Sequence, residues 1–262
     1  MIVRKNEPEV WDNLWNGISE AGLRRMYEEE LMSVRWGRIS NLINTEFAGF
    51  NGLRIVEIGG GTGTYSAIMA KTGAQVTIID YSVKALEASK AMFRLHNVNG
   101  DWLCIDALNL PESMYNLYDV SMSYGTAEHF SGNERSQIIQ SHINLIRPGG
   151  LAIISVPNAW NIPYRIWKYK LEKQGRWDWG EEYPFTRNEL KRICMDNNWK
   201  VFYFMGDSLI WSLNYLNFLR PSRVIRKCLK LPLPTAYRFP STRYGTPLDQ
   251  YLSYSLILAV KK

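Results

Sequence analysis

The sharpest chemical signal in the chain is Glu57-Ile58-Gly59-Gly60-Gly61-Thr62-Gly63, at the end of a β-like run and just before a segment of helical period. Glycines in such a turn let the backbone bend tightly and let a ligand approach the peptide groups. The dinucleotide fingerprint G-x-G-x-x-G is not met, because the third position after Gly61 is Thr64. Glu57 sets the ligand class. A carboxylate here repels a pyrophosphate, by about 4 kcal/mol for unit charges ~4 Å apart at an effective dielectric of ~20, and welcomes ammonium or sulfonium charge. A cationic nucleoside is therefore expected. The plainer alternative is that Glu57 caps the helix that follows.

In this combination the sequence resembles the class I S-adenosylmethionine-dependent methyltransferases, whose first motif is an acidic residue, any residue, then Gly-x-Gly-x-Gly. The resemblance covers about residues 30 to 205 and implies S-adenosyl-L-methionine as cofactor, held by Glu57, Gly59, Gly61 and Gly63. It implies that Asp80, ending the second strand, accepts hydrogen bonds from the ribose hydroxyls, with Tyr81 beside it. Asp106 in CIDAL matches the residue that receives the adenine amino group, next to Ala107, and Ser123-Tyr124-Gly125 flank the methionine part. Asp80 and Asp106 can also be simple strand-end turn formers. Arg38 lies close to where related enzymes place an arginine on the cofactor carboxylate, and on spacing alone Arg35 serves equally well. Triple glycines occur in aminopropyl transferases too, but those carry Asp where this chain has Thr62.

Methyl transfer from a sulfonium is an in-line displacement, so the protein mainly positions the acceptor and, for a hydroxyl, removes a proton. Glu128 and His129 in GTAEHF follow the fourth strand, beyond the expected cofactor methionine. An imidazole with a pKa near the usual ~6.5 suits proton removal, which makes His129 the candidate base, with Glu128 orienting it, binding the acceptor or holding a divalent ion. The pair and the later VPN resemble ubiquinone-type O-methyltransferases. In other methyltransferases the same His only closes the loop over the cofactor, and both readings stay open. The Asn/Asp/Ser-Pro-Pro-aromatic tetrad of nucleic-acid amino-methyltransferases is absent, as is a Pro-Cys nucleophile.

Elements that could position these residues follow from the patterning. Nearly continuous apolar runs at 53–58, 75–80, 102–106, 118–123 and 151–156 alternate with helical segments, as parallel strands covered on both faces require. Two further strands, 200–205 and 253–262, complete a seven-stranded, doubly wound, mostly parallel α/β sheet of Rossmann-like type. Ser82, Ser131 with Glu134, Thr186 with Glu189, and Asn6 with Glu9 are expected helix starts, and Pro148-Gly149-Gly150 an expected helix stop. The expected organisation is an N-terminal helical cap (1–52), a core (53–206 and 249–262) carrying an insertion at 157–185, and a second insertion at 207–248.

With 46% hydrophobic residues the 262-residue chain can bury a sizeable core, which excludes disorder. No apolar run approaches the ~20 residues of a membrane span, and no apolar signal core opens the chain, so a cytoplasmic protein is expected. Three scattered cysteines and three histidines show no metal-ligand spacing. The net charge of +6 is concentrated: Arg220, Arg223, Arg226, Lys227, Lys230, Arg238 and Arg243 fall in a stretch without acidic residues, interleaved with leucines. That composition suits peripheral contact with an anionic membrane, a solvated helical lid, or RNA binding by a basic surface. The insertion at 157–185 carries eight aromatic residues where acceptors bind in open α/β sheets. The expected function is methyl transfer to a hydroxyl or similar nucleophile on a small-molecule, isoprenoid, lipid-linked or saccharide acceptor. The alternatives are an RNA methyltransferase and a non-catalytic binding module, with nucleic acid the weaker partner class.

Overall fold

Apolar residues at every position of a strand, not at alternate ones, demand cover on both faces. A computed structural model, describing residues 6–215 and 245–262, shows how that demand is met. The strands are β1 (Arg54–Ile58), β2 (Gln75–Asp80), β3 (Asp101–Cys104), β4 (Tyr118–Tyr124), β5 (Ile146–Pro157), β6 (Lys200–Gly206) and β7 (Ser255–Lys261). They form one sheet of order β3-β2-β1-β4-β5-β7-β6. The first five run parallel, and β7 runs antiparallel to both neighbours. The seven-stranded, mostly parallel α/β sheet expected from the patterning is the one observed.

Helices α1 (Pro8–Trp15), α2 (Glu20–Leu31), α3 (Val34–Phe47), α4 (Thr64–Lys71) and α5 (Val83–His96) precede the sheet's midpoint in sequence, and α6 (Glu134–Leu145), α7 (Ile162–Lys173) and α8 (Arg187–Asp196) follow it. Successive strand residues feed opposite core layers. Ile78 and Ile153 join Ile39, Ile43, Met92 and Phe93 on one side, while Ile79 and Ile154 join Ile138, Ile139, Leu190 and Cys194 on the other. With both faces so covered, the carboxyl ends of the strands remain the place for a ligand.

Local signals fared unevenly. The Thr186–Glu189 capping box forms in full, and Ser82 Oγ accepts from Ala85 N–H at the head of α5. The Ser131–Glu134 box does not: the N-cap lies two residues later, at Asn133, and α6 starts at Glu134, because Gly132 turns the chain with φ +54° and Ser131 is left outside the helix. Asn6 does not cap α1, whose N-cap is Glu7, since the Asn6 amide is engaged elsewhere. Pro148-Gly149-Gly150 is not a helix stop but part of β5, which begins directly after α6 at Ile146. A Cβ on Gly150 would lie 2.8 Å from Arg147 O and 2.9 Å from Asp119 O, so the strand passes here only without a side chain.

The first residues of the second insertion belong to the body of the protein. Asp249, fully buried in the single turn Asp249–Leu252, accepts from Leu209 N–H, from Thr246 N–H and Oγ–H, and from Arg38 Nη2 at 2.5 Å. The basic cluster from Arg220 to Arg243 lies outside the described residues. Removing one partner of a buried ion pair strands the other charge, so Arg38→Ala is expected to cost about 3 kcal/mol in denaturant unfolding. A loss below about 1 kcal/mol would show that the remaining donors satisfy Asp249 unaided.

Candidate active site

The glycine turn is shaped by what touches it. Gly59 and Gly61 have φ of +61° and +52°, and a Cβ would lie 2.5 Å from Thr126 Oγ1 on the first and 2.8 Å from the Trp15 ring on the second. Glu57, at the end of β1, is 3% exposed and accepts from Ser66 Oγ–H in the first turn of α4 at 2.5 Å. It therefore meets the helix start and lines the cavity at the same time. Burial raises its pKa to about 7, against the opposing hydrogen bonds from Ser66. Asp80 accepts from Gly61 N–H at 3.0 Å and from Ser82 N–H at 2.9 Å, tying the turn to the head of α5, and burial pushes its pKa up as well. Tyr81 and Tyr124 line the same space, Tyr124 packing on Tyr65 at 3.9 Å between ring centroids. Asp106 is an exposed turn former, accepting from Leu108 N–H and Asn109 Nδ2–H, and with Ala107 it borders the cavity.

Of the two candidate arginines, Arg38 does not reach the cavity. It is spent on Asp249 and on the carbonyl of Gly206. Arg35, one helical turn earlier on α3, lines the cavity, donating from Nε to Tyr65 Oη at 2.7 Å and from Nη2 to Glu30 at 3.0 Å. Tyr65 O–H in turn donates to Glu30.

Glu128 and His129 sit in a 3₁₀ turn just after β4 (Ala127–His129), and both line the cavity. His129 Nδ1 lies 2.7 Å from the carbonyl oxygen of Glu181, which can only accept, so Nδ1 carries the proton and Nε2 the lone pair. Burial pulls the pKa of His129 down to about 4, and it pushes that of Glu128 well up with help from Glu182. Across the 3.9 Å from Nε2 to Oε1, burial thus disfavours the charged form of both groups.

The N-terminal segment closes this side. Asn6 Nδ2 donates to the carbonyls of His129 and Glu181, and its Oδ1 accepts from Glu181 N–H. Trp11 meets the His129 ring edge-on at 4.6 Å, and Asp12 accepts from Ser82 Oγ–H and Lys84 N–H. Beyond Glu128 the wall is aromatic, built by Tyr164, Trp167 and Trp177 of the first insertion with Trp211, Tyr215 and Tyr254. The enclosed volume is about 750 Å³. Among the described lining residues eight carry carboxyl groups and one, Arg35, a permanent positive charge, although the whole chain is at +6. Sequence reasoning missed Asn6, Trp15, Tyr65 and Glu182. The indole pattern of α1 was visible in sequence, but which loop it would cover was not.

Residues 55–150 match the family described as "Methyltransferase domain". The ubiquinone biosynthesis O-methyltransferase of Pseudomonas aeruginosa (strain LESB58) is 33% identical over 117 residues, 43% of this chain and 48% of that protein. The same enzyme of Pseudomonas fluorescens (strain Pf0-1) is 32% identical over 148 residues, 55% and 57% of the two chains. The chain thus spans about half the length of the curated relatives it matches. Magnesium protoporphyrin IX methyltransferase from Synechocystis PCC 6803, solved with S-adenosylhomocysteine, superposes with a TM-score of 0.57 at 18% identity, over 97% of this chain and 93% of that one. A SAM-dependent methyltransferase from Thermotoga maritima gives 0.60 at 14% identity, over 98% and 100%. The two superpositions are likenesses of fold. Residues 55–150 thus match a methyltransferase domain, and the chain shares the fold of solved S-adenosylmethionine-dependent methyltransferases.

Proposed function

We propose that this protein transfers a methyl group from S-adenosylmethionine to a nucleophile on a small-molecule acceptor held between Glu128 and the aromatic wall. The observation that carries the reading is the buried carboxyl of Glu57 beside a side-chain-free turn, in a cavity whose lining is acidic. The lining suits the cofactor: Gly59 and Gly61 hold a positive-φ turn packed against Thr126 and Trp15 that a Cβ would push apart, and Asp80, Tyr81, Asp106 and Ala107 line the cavity beside it, as candidates for the ribose and adenine. Arg35 replaces Arg38 as the candidate for the cofactor carboxylate. When bound, the cofactor supplies an electrophilic methyl on a sulfonium, and the protein's task is to orient the acceptor and exclude water.

The acceptor expected from sequence, a hydroxyl or similar nucleophile on a small, isoprenoid, lipid-linked or saccharide molecule, has support from the ubiquinone-type relatives. The tryptophans and tyrosines of the wall suit an apolar or ring-bearing molecule. A pKa of about 4 makes His129 a weak proton acceptor near neutral pH, and its bonds to the Glu181 carbonyl and, through its own carbonyl, to Asn6 favour loop closure as its role. Among the described residues no helix is long and apolar enough to cross a membrane. Contact of the basic stretch with an anionic membrane surface stays a proposal, resting on composition.

Incubating a fractionated extract with methyl-labelled cofactor tests the reading, and label in small organic molecules is the expected result. Label confined to RNA, or none at all despite tight cofactor binding, would replace it. His129→Ala is expected to lower turnover by less than about tenfold, whereas a general base would cost about 10²–10⁴. For Glu57 the sign follows from its raised pKa. A cation seated against it favours the ionised form, so binding expels a proton that burial retains at low pH. Affinity for S-adenosylmethionine should be full well above pH 7 and fall by up to about tenfold per pH unit below it, as calorimetry from acid to alkaline pH would read. Glu57→Gln should flatten that slope. An unchanged slope would assign it to another group.

A further inference from the structure

The far end of the cavity holds two carboxyl groups, each with one oxygen left without a hydrogen-bond partner among the described residues. Glu128 is 3% exposed and its Oε2 has no hydrogen-bond partner, and Oε1 of Glu182 is likewise buried and unpartnered. Buried carboxyl oxygens without donors are costly and rarely kept without a purpose. Both residues line the cavity together with Tyr254, and the Tyr183 N–H bond to the Glu128 carbonyl at 2.7 Å lays Glu182 beside the turn that carries Glu128. Glu182 is oriented by Tyr164 O–H, which donates to its Oε2 at 2.5 Å, and Glu128 by the turn after β4.

Among the described residues, the nearby cations do not neutralise the pair by contact. Lys168 is bonded to Glu172, Arg135 to Glu189 and Arg35 to Glu30, and Arg165 is on the exposed side of α7. Around the carboxyls stand aromatic rings in mutual contact: Tyr164 lies 4.7 Å from Tyr254 and 5.2 Å from Tyr215, Trp167 4.9 Å from Tyr215, and Trp211 5.3 Å from Tyr215, centroid to centroid. Aromatic rings joined to carboxyl groups in a water-poor pocket attract a cation through both the ring quadrupoles and the charge. The unpartnered oxygens ask in addition for hydrogen-bond donors; an ammonium group supplies them together with a positive charge, whereas a quaternary group has the charge without the N–H and a neutral group the donor without the charge.

We propose that Glu128 and Glu182, within this aromatic wall, form the subsite for a protonated amine carried by the methyl acceptor. The acceptor is then an amine-bearing small molecule, a narrower class than the hydroxyl, isoprenoid or saccharide compounds considered from sequence. The inference rests on the methyltransferase reading, because it takes the space beside Glu128 as the acceptor's.

The test uses the whole protein saturated with S-adenosylhomocysteine and two probes of one shape, benzylamine, cationic at neutral pH, and benzyl alcohol, which is neutral. Calorimetry should show benzylamine binding at least about tenfold more tightly than the alcohol, with Glu182→Gln removing that preference while S-adenosylhomocysteine affinity stays within about twofold. Glu128→Gln should act in the same direction on the probe. Equal affinity for the two probes, no saturable binding of benzylamine, or a preference that survives both substitutions would overturn the proposal. Failure of S-adenosylhomocysteine to bind at the outset would instead remove the methyltransferase reading. Benzylamine that binds only when S-adenosylhomocysteine is left out would put it in the cofactor's place and would likewise sink the subsite.

Discussion

Carboxyl groups drawn out of water at the carboxyl edge of the sheet, with Arg35 the one permanent positive charge among the described lining residues, govern this protein's chemistry. Burial alone makes ionised carboxylates expensive, and it pushes up the pKa of Glu57, Asp80, Glu128 and Glu182. The fold tolerates this because each group is either bonded to backbone amides, as Asp80 is, or able to hold its proton until a cation arrives. The result is an interior biased against phosphate-rich ligands and toward cationic ones, inside a chain that is basic overall. Glycine geometry and aromatic cover serve the same end by letting the ligand close to the peptide groups and keeping water away from the charges.

Much of the framework was legible in the residues. Continuous apolar runs gave the parallel strands, since only strands covered on both sides carry them, and the acidic strand ends fell at the cavity as spacing implied. The Thr186–Glu189 box was legible because both partners lie within one turn. The Ser131–Glu134 box failed for a local reason, the turn at Gly132, whereas other departures depended on partners distant in sequence. Arg35 and Arg38 lie on one helix at equivalent spacing, and only the approach of Asp249, more than two hundred residues further on, decides which of them faces the cleft. Asn6 has the composition of a cap, yet the carbonyls of His129 and Glu181 claim its amide. The reading of His129 as a base came from an unperturbed imidazole; burial, which no local pattern encodes, lowers its proton affinity.

The Glu128–Glu182 pair shows a similar dependence. Glu128 stands in a motif and drew notice at once, whereas Glu182 lies in an aromatic-rich insertion where an acidic residue looks like ordinary solvation. Their meeting follows from the backbone bond between Tyr183 N–H and Glu128 O at 2.7 Å, which lays the insertion against the turn after β4.

Helix α1 is a short segment touching both halves of the cleft: Trp15 rests on the glycine turn, Trp11 on the imidazole, and Asp12 on the start of α5. The glycine turn and the turn after β4 consequently share a single cover. Any displacement of that cover opens both turns together, so the wetting of one end of the cleft is tied to the wetting of the other through the same eight residues.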